Sequence, residues 1–331
     1  MSSRLKKILQ TALGFLLAGL FLFLAFRGVS IKELWASLQD VDYVWVALLV
    51  PIVIISHWLR AVRWAYLLAP IKENIPTRNL FSAVMIGFMV NNLLPRVGEV
   101  TRPFAIGKSE NISKSSAFGT VVIERIIDMV VFLFILCLML FVYPGSMDPF
   151  FSNVNAVRPF FFIGSIGFLV FFVVLFFKAE SLFRLLSFLK RFIPKRLEAK
   201  YQSLLDSFLT GFAVSKMRKQ YPMIVVLSLL IYFFYALSLY VPFYAFHTMA
   251  GHNLDFGASV ILLTISTIAF AFPAPGALGT YHQFLSFALV RLYGVDNVTA
   301  LSYSIITHEM GYIITTVMGL YYFFKDHLHI S

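Results

Sequence analysis

Long apolar runs alternate with short polar stretches along this chain. Residues 8–26, 43–68, 116–142, 159–177, 221–247 and 299–324 each reach or approach the ~20 apolar residues that a helix needs to cross a bilayer. Two shorter apolar runs, 80–94 and 256–272, end in clusters of Asn, Pro and Gly. The pattern predicts an all-α polytopic integral membrane protein with about six spanning helices and two re-entrant hairpins. Residues 1–331 are expected to form a single transmembrane domain. Its first half covers 8–142, a cytoplasmic amphipathic basic segment 178–220, and its second half 221–324.

Composition points the same way. The chain is 60% hydrophobic and 13% charged, far from the ~25% charged residues of soluble domains. The net charge of +11 is scattered between the apolar runs, which suits loops on the cytoplasmic side better than a nucleic-acid surface. Cys137 is the lone cysteine, so no internal disulfide is expected; it reads as a small packed side chain. Arg4, Lys6 and Lys7 precede the first run, which is long enough to span and is followed by no small-residue cleavage site. It is read as a retained helix with a cytoplasmic N-terminus.

Lys and Arg also set the orientation. Residues 178–219 carry ten of them against Glu180, Glu198 and Asp206, so this segment is placed in the cytoplasm. Leu182, Leu185, Leu186 and Leu189, then Leu197, Tyr201, Leu204, Leu205 and Phe208, recur at helical spacing on either side of Pro194. They predict two short amphipathic helices on the membrane surface, or a solvated linker. The loops 69–79 and 96–115 are both basic, so 80–94 enters from the cytoplasm and returns. By the same logic 256–293 enters and returns from the opposite side. A Pro–Gly break before Glu124-Arg125 and another before His308-Glu309 suggest an inverted repeat.

The breaks hold the candidate chemistry. Asn91, Asn92, Arg96, Glu99 and Arg102 interrupt the first half, and Pro275, Gly276, Gly279, His282 and Gln283 the second. Bare backbone and charge at membrane depth are costly unless they lie within protein or beside water. Arg96 and Arg102 would suit a lipid phosphate near a helix start; the plain alternative is interfacial positive charge. Glu124, Arg125 and Asp128 lie inside a span at i, i+3 and i+4 spacing. They read either as a structural ion-pair network or as a cavity wall. On the second span His57 reads as a packing histidine and Arg63 as a side chain that snorkels to the interface, with Arg60 between them. His282, His308 and Glu309 match no metal-ligand spacing, so no metal and no cofactor are expected; they read as polar lining, with protonation of a His as a route to pH dependence.

Asn91–Glu99 with Arg102, Glu124-Arg125-x-x-Asp128, and Pro273-x-Pro-Gly-x-x-Gly279 followed by Gly294-Val295 resemble the lysylphosphatidylglycerol synthase transmembrane-region family, also described as flippase-like. The resemblance covers about residues 8–324. It implies a membrane region that moves aminoacylated phospholipid between leaflets. In bifunctional members a soluble aminoacyl-transferase domain follows this region; that domain is not expected here. Two departures are Ala277, where the family often has Gly, and His282, where it often has an acidic residue.

The expectation is therefore a flippase that moves a phospholipid or lipid-linked headgroup across a bacterial-type inner membrane, with both termini cytoplasmic. Its partners would be membrane lipids, anionic or aminoacylated, with a separate lipid-modifying enzyme as a possible supplier and no nucleic acid. No motif marks it as an enzyme. The rival readings are an integral-membrane enzyme acting on a lipid-linked substrate and a membrane scaffold without transport.

Overall fold

A computed structural model describes residues 3–143, 154–184, 195–211 and 219–328. The chain runs through α1 (Ser3–Phe26), α2 (Ile31–Gln39), α3 (Tyr43–Ala47), α4 (Leu49–Leu68), α5 (Thr77–Leu93), α6 (Gly98–Ser109) and α7 (Lys114–Val142). It continues through α8 (Val154–Arg184), α9 (Lys195–Gly211), α10 (Tyr221–Tyr240), α11 (Phe256–Ala271), α12 (Thr280–Tyr293) and α13 (Asn297–Leu328). No strand occurs among the described residues. Among them, Tyr43–Leu68, Lys114–Val142 and Tyr221–Ala245 are long and apolar enough to cross a membrane. Ala12–Phe26 and Ile31–Gln39 make a fourth if taken as one span, although they meet at 82°. The molecule is an all-helical membrane protein. The expected run 299–324 falls inside α13, whose Ser302, Ser304, Thr307, His308, Glu309 and Thr315 lower its hydropathy below that of the other spans. The run 159–177 lies in α8, around the shorter apolar stretch Pro159–Val174.

Local chemistry explains the first hairpin. Leu94, just before Pro95, is held extended (φ −132°, ψ 112°), because the proline ring clashes with a helical predecessor. Arg96 follows with φ 64°, and the chain reverses into α6. Asn91 Oδ1 accepts the Gly98 N–H at 2.7 Å. A Cβ on Gly98 would strike the Gly87 carbonyl and the Asn91 side chain, so the absence of a side chain lets α6 lie directly on α5. At the other end of the hairpin, Lys72 Nζ donates to Glu110 Oε2 at 2.7 Å, and Asn79 donates to Oε1. The two feet are thereby tied together.

The second hairpin is α11 and α12. Asp255 caps α11 by accepting the Ala258 N–H at 2.8 Å. The tip between the helices uses left-handed backbone at Gly276, Ala277 and Gly279. At Gly279 (φ 79°) an added Cβ would also come within 2.5 Å of the Ala18 carbonyl on α1. Glycine is needed there twice over, for its dihedral and for the passing helix.

The two halves expected from the sequence interlock. α1 packs on α12 and on the second tip, and α5 packs along α13. One core joins Ile231, Leu262, Leu285, Leu289 and Tyr303; a second joins Trp64, Leu80, Val84, Met85, Ile106 and Ile123. In the basic segment, Leu205 is buried and Ser115 donates to the Leu204 carbonyl at 3.0 Å, so α9 docks on α7. Leu185, Leu186, Leu189 and Pro194 lie outside the described residues, as do the side chains of Leu182, Leu197, Tyr201 and Phe208.

Candidate functional site

A network of charge joins α4, α6, α7 and α10. Glu124, fully buried, meets Arg60 at 2.6 Å, Arg125 at 2.9 Å and Arg102 at 2.8 Å, with Arg63 at 3.4 Å. Asp128 meets Arg63 at 2.6 Å, Arg125 at 2.9 Å and Arg60 at 3.1 Å. The Arg60 guanidinium also donates to the Tyr235 hydroxyl, Arg63 donates to Ser228 Oγ, and Tyr232 donates to the Asp128 carbonyl. Arg102 lies 3.7 Å over the Trp64 ring, where the quadrupole stabilises a cation. Four guanidiniums surround two buried carboxylates, so the cluster carries an excess of positive charge. Glu99, on α6, reduces that excess from 3.7 Å beyond Arg125. Arg125 is 42% exposed and Glu99 30%, so this edge opens outward.

Arg63 does not snorkel. It is fully buried and paired, because α4 turns it toward Asp128 rather than toward an interface. His57 is buried with its ring 4.3 Å from that of Phe88. Arg60, Arg63, Trp64, Ser228, Tyr232 and Tyr235 were missing from the sequence-based site. The available signal was a basic pair three apart on the second span and an acidic pair four apart on the third, each pair on one helix face.

A second constellation forms where the hairpin tips meet. Arg96 Nη2 donates to the Ala271 carbonyl at 3.0 Å. Gly276 lies against the Asn92 carbonyl, which also accepts from Tyr312. The Asn92 amide donates to Thr315 at 3.0 Å and Thr316 at 2.9 Å on α13. Asn91 and Asn92 therefore hold backbone and helices in place. Arg96 and Arg102 do not form a shared phosphate clamp: Arg102 is taken up by Glu124 and Trp64, and Arg96 by the opposite tip. Pro275 and Gly279 are buried in that tip. His308 Nε2 lies 2.8 Å from the Gly276 carbonyl and Nδ1 lies 3.0 Å from Glu309 Oε1. His282 Nδ1 accepts the Gly279 N–H at 3.3 Å, with Nε2 3.6 Å from the same Glu309 oxygen.

A helical membrane protein with broken helices meeting beside buried charge defines the general class. The particular family follows from comparison: residues 11–319 match the lysylphosphatidylglycerol synthase TM region, and the chain belongs to that family. It is similar to a UPF0104 membrane protein of Methanocaldococcus jannaschii, 27% identical over 131 residues, or 39% of each chain. A UPF0104 membrane protein of Methanothermobacter thermautotrophicus is 31% identical over 106 residues, 31% of each chain. One from Pyrococcus horikoshii is 31% identical over 130 residues, 38% of each chain. The alignments thus span less than two fifths of the length of these curated relatives.

Proposed function

We propose that this protein is a lipid flippase or transporter that passes a phospholipid headgroup between leaflets, and that it is not an enzyme. The observation that carries this reading is the meeting of the two hairpin tips, Arg96 on Ala271 and Gly276 on Asn92, from breaks far apart in sequence. Broken helices that converge from two halves are the usual architecture of a transporter's central site. The two halves also share an order of elements: helices of 17, 12 and 29 residues (α5, α6, α7) answer helices of 16, 14 and 32 (α11, α12, α13). That correspondence supports an internal repeat of two hairpins; the distribution of Lys and Arg supports their inverted, re-entrant placement, about six crossings and cytoplasmic termini, and the reading assigns the protein to an inner membrane.

The charges suggest how a headgroup is received. Glu124 and Asp128 are saturated by arginine, so neither is free for a cationic headgroup. The exposed edge is Arg125, which also pairs with both carboxylates, and Glu99, 3.7 Å from it; a phosphate would compete for Arg125 and an amine would pair with Glu99. An anionic or aminoacylated phospholipid fits both, its acyl chains staying in the bilayer. A separate lipid-modifying enzyme would supply such a substrate. The test is leaflet exchange of labelled phospholipids of different headgroups in reconstituted liposomes. Arg125→Ala should abolish exchange while leaving insertion intact. Normal exchange in Arg125→Ala and in Glu99→Gln would refute the assignment.

A further inference from the structure

Both ring nitrogens of His308 face acceptors. Nε2 lies 2.8 Å from the Gly276 carbonyl and Nδ1 lies 3.0 Å from Glu309 Oε1. A neutral imidazole has one N–H and can satisfy only one of them. His282 does not relieve this: its Nδ1 takes the Gly279 N–H, which places its own proton on Nε2, directed at the same Glu309 oxygen from 3.6 Å. Glu309 is thus approached by two rings as the carboxylate, and the missing proton belongs on His308.

We propose that His308 and Glu309 form a proton-binding site that latches the second hairpin tip to α13, and that the bound proton couples lipid transport to pH; the coupling rests on the flippase reading, the site itself does not. With the proton bound, His308 donates to both acceptors and the pair is neutral overall. When the proton leaves, the site carries one negative charge. His308 must then give up either Gly276 or Glu309, and the tip loosens. Glu309 is the exchange route, since 36% of its side chain is open while that of His308 is 3% exposed. The titratable and charged groups around the pair are His282 and Tyr281 on α12, Tyr312 on α13, and Arg96, which reaches the base of the same tip through the Ala271 carbonyl. No acidic side chain other than Glu309 is in contact with the two rings among the described residues.

His282, His308 and Glu309 could also bring three ligand atoms within 4.8 Å of one another. A metal there would need the Nε2 lone pair of His282. That puts the ring proton on Nδ1, against the Gly279 N–H. The hydrogen bonds therefore favour a proton over a metal.

The experiment is hydrogen–deuterium exchange of the full chain in phospholipid nanodiscs between pH 5 and 9, corrected for intrinsic exchange, reading residues 273–281. Protection should fall about tenfold as pH rises through a one-proton midpoint, the scale of one charge-assisted hydrogen bond. Glu309→Gln should flatten that profile. Histidine-selective 15N spectra give a second reading: among the seven histidines, a ring assigned to His308 by its loss in His308→Gln should be doubly protonated at the acid end and lose a proton at the same midpoint. A pH-independent profile, a profile unchanged in Glu309→Gln, the absence of such a ring, or stoichiometric Zn2+ binding would each overturn the proposal. Lipid exchange under an imposed pH gradient then tests the coupling alone.

Discussion

Arg63 donates from Nη2 to Asp128 Oδ1 at 2.6 Å, joining α4 to α7 across 65 residues of sequence. Arg63 is fully buried, and its Nη1 is used by Ser228. Removing Asp128 leaves Arg63 buried with only Glu124, at 3.4 Å, in a cluster already in positive excess, which costs about 3–5 kcal/mol; removing Arg63 leaves Asp128 paired with Arg60 and Arg125, so the loss is smaller. Asp128→Leu should lower the midpoint of thermal unfolding in detergent strongly, and Arg63→Met should lower it less. The double variant should lose less than the sum of the two. Strict additivity would show that the two side chains are not energetically coupled.

Gly98 and Gly279 are expected to resist replacement. Gly98→Ala drives a methyl into the Gly87 carbonyl and Asn91, so the α5–α6 hairpin must separate. Gly279→Ala adds strain of about 1–3 kcal/mol at its left-handed dihedral and collides with the Ala18 carbonyl. Both should reduce yield and thermal stability. Gly19→Ala, with open space around its added methyl, is the control and should behave as the unmodified protein. Equal behaviour of all three would contradict the packing described.

The Lys72–Glu110–Asn79 clasp should weaken in acid. Burial pushes the Glu110 carboxyl up, but hydrogen bonds from Lys72 and Asn79, with the lysine charge, outweigh it and hold the group below the ordinary carboxylate range. A depressed folded value means that its stabilisation is fully present above the unfolded value, near ~4.3, and is lost as pH falls through the folded one. Proteolysis of the 69–79 and 110–113 connections should therefore rise at the acid end of the range. Glu110→Gln should show raised cleavage at neutral pH and little further change on acidification. An identical acid response in that variant would assign the effect elsewhere.

Arg96→Ala should separate the tips without unfolding the protein. Arg96 is exposed and makes one hydrogen bond to backbone, worth about 1.5–3 kcal/mol at most for a charged donor and less in contact with solvent. Its thermal midpoint should move little, while cross-linking between cysteines placed at positions 93 and 272 should fall. Unchanged cross-linking would mean that the Asn92–Gly276 approach holds the tips by itself.

Hydrophobic periodicity and composition were enough to establish an all-helical membrane protein, because a chain so apolar has no polar surface to offer water and must satisfy its backbone in helices. The proline and glycine breaks were legible too. Pro95 excludes helical backbone at Leu94, and Gly279 permits a positive φ that other residues avoid. The order of motifs was enough to indicate the family. Partnership was decided only by the tertiary fold. Arg63 looked interfacial from its place near the end of a run, yet α4 is turned so that it meets Asp128. Arg96 and Arg102 looked like a pair, yet one reaches the opposite hairpin and the other stacks on Trp64. His308, next to Glu309 in sequence, gained its second acceptor from Gly276 on another hairpin. Spacing along a helix fixes which residues share a face, but the rotation and packing of each helix against its neighbours fix what that face meets, and a charge buried in a membrane is stabilised or stranded by that neighbour alone.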